Sequence, residues 1–113
     1  MTTKIVYLIT SDKIGNQDQE LGGRLMNTFF LKLVQAGQQP THILLMERGV
    51  QLLTQDSSSL DPLKVLEARG VSILACQTCL EYYGIREKIC AGTISNMPDI
   101  LDVLHEAGKV ISW

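Results

Sequence analysis

The chain opens on a nearly unbroken apolar run, Lys4-Ile-Val-Tyr-Leu-Ile-Thr10, which predicts a strand buried on both faces. After a polar loop from Ser11 to Gln19 the period lengthens. Leu21, Leu25, Phe29 and Leu33, with Met26, Phe30 and Val34 on the adjoining row, predict a helix over Glu20 to Ala36 with Gly37 as its stop. Past Pro40, Thr41 to Met46 predicts a second strand. Glu47 to Ser59 keeps neither period. Its apolar residues Val50, Leu52 and Leu53 are expected to run over the surface, where irregular backbone finds water, and to serve as a face for self-association. The alternative is that they fold back as a lid on the core.

Asp61 and Pro62 read as the cap and first turn of a helix with Leu63, Val65 and Leu66 inward and Gly70 after it; one of the preceding serines is an alternative start. Val71 to Ala75 predicts the third strand and Ile89 to Ile94 the fourth. Asn96 to Pro98 opens a last helix, with Ile100, Leu101, Leu104 and Ala107 at helical spacing and Gly108 behind them. Lys109 to Trp113 completes a fifth strand. Strands alternating with helices predict an α/β domain with a mainly parallel five-stranded sheet between two helical layers, spanning residues 1–113 as one domain. Ligands of such sheets gather at the carboxyl ends of the strands. Those ends carry Ser11–Asp18, Glu47–Val50, Cys76 and the Ser95–Asn96 turn.

Composition narrows the functional classes. Of 113 residues 45% are hydrophobic and 19% charged, a globular balance. The net charge of −2, without a run of Lys or Arg, lacks a nucleic-acid footprint. The first apolar run is too short for a signal-peptide core or a membrane span. Three cysteines do not make a disulfide framework, so the expected compartment is the cytoplasm, with thiols reduced unless they do chemistry.

That chemistry centres on Val71 to Gly84, Val-Ser-Ile-Leu-Ala-Cys-Gln-Thr-Cys-Leu-Glu-Tyr-Tyr-Gly. Cys76 falls where the third strand turns into a helix, so the first free N–H groups of that helix are expected to favour its thiolate. Cys79 follows one turn later. A zinc site would need four ligands, and only Cys90, His42 and His105 remain; Cys90 and His42 lie in predicted strands, so no metal is expected. For Cys90 the expectation is a small buried hydrophobe in a strand. A thioredoxin-type pair would want a proline facing it from before a later strand, whereas Pro98 opens a helix. Gly15 and Asn16 form a turn before the first helix that could hold an anion, although without the spacing of a phosphate fingerprint. Tyr82 and Tyr83 could flank the site or pack an interface.

Cys76-Gln-Thr-Cys79-Leu-Glu-Tyr-Tyr-Gly84 resembles the DsrE-like family, and within it the C-terminal domain of the YedF group, which typically shows Cys-Gly-Thr-Cys-Leu followed by aromatics and glycine. Glu20-Leu-Gly with Leu25-Met26, Gly49-Val50, Gly70-Val71 and Asn96-Met97 agree in order along the chain. Gln77 stands where glycine is usual, Glu47 where asparagine is, and Pro98 where tyrosine is. The resemblance implies a three-layer α/β/α fold and sulfane sulfur (or selenium) carried as a persulfide on Cys76, with Cys79 as a resolving thiol or a packing neighbour. Gly15, Asn16, Gly49, Gln77, Thr78 and Asn96 are the candidate binding residues around it. The implied partners are a protein or small-molecule sulfur donor or acceptor and further copies of the chain, as a trimer or hexamer; no cofactor is implied. Two other functions are open: a non-catalytic binding module of the same fold, and a thiol–disulfide redox protein using Cys76 and Cys79.

Overall fold

The computed structural model describes residues 4–113. Its elements follow in the order β1 (Ile5–Ile9), α1 (Gln19–Gln35), β2 (His42–Leu45), a 3-10 segment (Glu47–Leu53), α2 (Leu60–Ala68), β3 (Ser72–Cys76), α3 (Gln77–Tyr82), β4 (Thr93–Ser95), α4 (Met97–Glu106) and β5 (Lys109–Ser112). The sheet order is β4-β3-β2-β1-β5, and every neighbouring pair is parallel.

Three successive crossovers step the sheet in one direction, from β1 through β2 and β3 to β4. Right-handed crossovers that step the same way must lie on the same face. Accordingly Met26 and Phe30 of α1, Leu63 and Leu66 of α2 and Leu80 of α3 share one core with Ile9, Ile43, Leu45, Ile73 and Ala75. The last crossover returns from β4 to the far edge, so α4 lies on the opposite face. There Ile100 packs on Val6, Leu44 and Cys76 in a smaller, separate cluster. The alternation of β3 thus sends Ala75 to the large core and Cys76 to the small one.

Several sequence expectations shift in register. The buried stripe of α1 is Gly22, Met26, Phe30 and Leu33, one position round from the predicted row, and Leu21 is 51% exposed. Gly37 does not stop this helix. Ala36 turns extended instead, and the Gln39 amide donates to the Leu33 and Ala36 carbonyls at 2.7 and 3.1 Å. Helix α2 begins at Leu60 with Ser59 before it, so Asp61 and Pro62 sit inside its first turn and Val65 faces solvent. Gly70, at φ +101°, is the predicted stop.

Two corrections are larger. Val50, Leu52 and Leu53 are fully or almost fully buried rather than displayed. The chain from Glu47 to Leu53 winds as a 3-10 helix over the carboxyl end of the sheet and acts as a lid. It lies so close to β1 that a Cβ on Gly49 would overlap the Ile9 carbonyl, which makes Gly49 a packing glycine. Second, Ile89 and Cys90 are not in β4. Thr54 bridges Ile89 and the Leu53 carbonyl accepts from the Cys90 N–H at 2.8 Å, so this backbone is bound to the lid. The strand starts only at Thr93, after Gly92 turns at φ +81°. Cys90 is consequently exposed, not a buried strand residue.

The lid makes a stability prediction. Leu53→Ala should lower the free energy of unfolding by about 2–5 kcal/mol through a cavity under the segment. Urea unfolding measures it. An unchanged midpoint with a reduced particle mass would instead mean that the segment serves an interface.

Candidate functional site

The carboxyl ends of β3 and β4 lie side by side, Cys76 opposite Ser95, yet the helices that follow them leave to opposite faces. In open parallel sheets such a divergence leaves a crevice where ligands collect. Cys76, almost fully buried, is the last residue of β3 beside it. Its backbone is still extended, and α3 begins at the next residue and takes only six. That helix is short because Gly84 adopts φ +67° and lets the Ile85 N–H reach back to the Leu80 carbonyl at 3.0 Å.

The two thiols differ in surroundings. Cys76 is 3% exposed, beneath Ile100, and its sulfur takes no bond from the first N–H groups of α3. A backbone donor is found on Cys79 instead, and it comes from another segment: the Glu47 N–H points at the Cys79 sulfur at 3.1 Å. Glu47 sits at φ +50°, a left-handed conformation that costs a glutamate on the order of 1–3 kcal/mol. Asparagine, the residue that the resemblance suggests here, enters that region more readily. Cys79 is half-buried, and desolvation pushes its thiol above the usual range; the Glu47 N–H acts in the opposite direction, while hydrogen bonding with Cys76 and the Glu47 charge add to the rise. Cys79 also packs against the small cluster that holds Cys76.

Polar and aromatic side chains follow Glu47 and Cys79 in sequence. The Arg48 guanidinium lies 5.9 Å from the Tyr83 ring centre, and Tyr83 stands one helical turn beyond Cys79. Asp12, from the loop after β1, holds Arg48 and Lys13 at 3.4 Å each. Tyr82 meets Tyr83 edge-on at 5.2 Å and is itself 84% exposed.

The remaining predicted residues separate into two groups. Gln77 and Thr78 ride on the outer side of α3, where the Gln77 amide donates to Glu81 at 3.1 Å. Asn96 is beside the crevice, but its side chain is engaged as the cap of α4, accepting from the Asp99 N–H at 2.9 Å. Gly15 and Asn16 are exposed and make no bond to the thiols. Their loop is tied instead to the start of α1, where the Ile14 N–H donates to the Gly22 carbonyl. Glu47, Arg48 and Asp12 complete the site without having been singled out by residue type. A backbone donor leaves no mark in a sequence, and the Arg48–Asp12 pair joins positions 36 residues apart. Among the described residues no cluster of His, Cys, Asp or Glu fits a metal ion, and no helix is long and apolar enough to cross a membrane.

No curated protein matches the chain in sequence. Solved structures with the same fold include the YchN protein from E. coli, 18% identical with a TM-score of 0.75, covering 99% of this chain and 100% of that one. A protein of unknown function from Methanobacterium thermoautotrophicum is 19% identical with a TM-score of 0.69, at 99% and 100% coverage. Another from Bacteroides thetaiotaomicron is 18% identical with a TM-score of 0.68, at 97% and 95% coverage. A profile of the DsrE/DsrF-like family matches residues 3–113, and with the five-stranded parallel sheet in place the chain belongs to that family.

Proposed function

We propose that this protein is a sulfur-relay component that holds sulfane sulfur as a persulfide on Cys76. The observation that carries the reading is a pair of thiols packed in one cluster at the end of β3, one of them supplied with a backbone N–H donor. Attack by a cysteine thiolate on the outer sulfur of a donor persulfide R–S–SH forms a protein S–S bond, breaks the donor's, and releases R–S⁻. The product is a cysteine persulfide with the proton still on its terminal sulfur. Burial under Ile100 suits Cys76 to the storage step, because a sulfane sulfur there is kept from water and stray oxidants. Delivery is the same exchange run toward an acceptor thiolate. Cys79 could also discharge the carrier by attacking the inner sulfur, forming a Cys76–Cys79 disulfide and expelling hydrosulfide, which ties the relay to the redox reading.

Within the family, the two cysteines followed by Leu80, Tyr82, Tyr83 and Gly84 favour kinship with the C-terminal domain of the YedF group. The cytoplasm, where thiols stay reduced, is the compartment that fits such a carrier. Self-association belongs to the same proposal but keeps only part of the surface that the sequence suggested. With Val50, Leu52 and Leu53 in the core, Tyr82 remains exposed, and Met97 and Leu101 are among the other exposed apolar side chains. All three are on α3 or α4, the helices that border the crevice.

Two outcomes are expected. After incubation with an alkyl persulfide and removal of excess donor, the intact mass should show one retained sulfur, mapped to Cys76; Cys76→Ser should retain none. Sulfur retained only on Cys90, or none on the wild type, would favour the binding-module reading. Light scattering in reducing buffer should give a particle well above 12.5 kDa, reduced by Tyr82→Ser. A monomer at micromolar concentration would remove self-association from the proposal.

A further inference from the structure

The relay reading leaves open which thiol meets the donor. Cys76, the expected carrier, is also the less accessible of the two. Ile100 of α4 covers it on one side, and the strands beneath supply Val6 and Leu44. A donor sulfur needs in-line approach to the attacking sulfur, and a side chain 3% exposed at the bottom of a packed cluster does not give it. Cys79 is partly exposed, and the Glu47 N–H lies 3.1 Å from its sulfur.

Resting on that reading, we infer that sulfur enters at Cys79 and is then handed inward to Cys76, with the Glu47 amide as the group that holds the Cys79 sulfur in both steps. In the first step the Cys79 thiolate attacks the outer sulfur of the donor persulfide, giving Cys79–S–SH and the donor thiolate. In the second the Cys76 thiolate attacks the terminal sulfur of that persulfide. The new S–S bond is on Cys76, the bond to Cys79 breaks, and the electron pair leaves on the Cys79 sulfur. A leaving thiolate in a half-buried site needs a donor, and the Glu47 N–H is already aimed at that atom.

Burial, ahead of charge, sets the pH dependence of the first step. Beyond it the Glu47 N–H lowers the Cys79 pKa, while the Cys76 thiol and the Glu47 carboxylate raise it. The balance is a raised pKa, and such a thiol is a strong nucleophile once ionised. Loading should therefore accelerate with pH beyond the range in which an ordinary thiol has finished titrating.

The test is time-resolved. Wild type, Cys79→Ser, Cys76→Ser and Cys76→Ala are mixed with an alkyl persulfide, quenched with iodoacetamide, and mapped by peptide mass. Circular dichroism checks that each variant is folded, and Cys76→Ala keeps an apolar group under Ile100 should serine not be tolerated there. Loading of Cys76 should slow by about tenfold or more in Cys79→Ser, while the Cys76 variants should still form a short-lived adduct on Cys79 at the wild-type rate. Glu47→Gln keeps the amide and removes the charge, so it should shift the pH profile of that adduct to lower pH. Overturning the order of transfer takes unslowed loading of Cys76 in Cys79→Ser with no adduct on Cys79 in any variant; the carrier assignment of Cys76 would survive that result. No sulfur on any cysteine of any protein would remove both.

Discussion

A parallel strand can be joined to the next only by a crossover, and the crossover has one hand. From that constraint the rest of this molecule follows. Three helices step across one face, so the single connection that reverses direction must carry its helix across the other. The reversal falls between β3 and β4, and those two strands are left as neighbours whose chains diverge. The crevice is thus a consequence of topology, present before any side chain is chosen. What the sequence adds is a pair of thiols in it.

The lid is the second condition. Glu47 to Leu53 buries four of its seven residues on the sheet end, and Gly49 lets it lie against the Ile9 carbonyl. A segment packed this tightly has little freedom in the direction of its N–H groups. It can hold a strained residue at its first position because the residues behind it are anchored by burial, worth roughly 1.5–3 kcal/mol for each large side chain. Stability invested in Val50, Leu52 and Leu53 thereby maintains the geometry at Cys79.

Much of the fold was legible in the periodicities. All five strands and the α/β/α layering follow from runs of apolar residues and the spacing between them, and the strand-to-helix position of Cys76 needed no structure. The misplacements share a cause: tertiary contacts took over groups that local pattern had assigned elsewhere. Ile89 and Cys90 look like a strand, but the lid claims their backbone. Val50 to Leu53 matches no period because a 3-10 helix has neither the strand nor the α-helix repeat. The face of α1 was read one position off because Leu21 and Leu25 are as apolar as the residues that are buried, and Gly22, which approaches the Ile14 carbonyl, is invisible to a hydrophobicity pattern. At the site, the cysteines could be named from the sequence and the Glu47 amide could not, since every residue but proline has one.

The pairing of β5 with β1 has a bearing on how the chain folds. Ile5 lies beside Lys109, so β1 remains an edge strand until nearly the whole sequence has been made. The contacts around α3 are local by comparison, and the two thiols are brought together while β5 is still missing. Their cover comes from α4, the element directly before that strand. Loop-closure entropy delays such long-range pairing. The shelter over Cys76 is therefore a late product of the sequence, since Ile100 belongs to the last helix and that helix is held by the strand that pairs with β1.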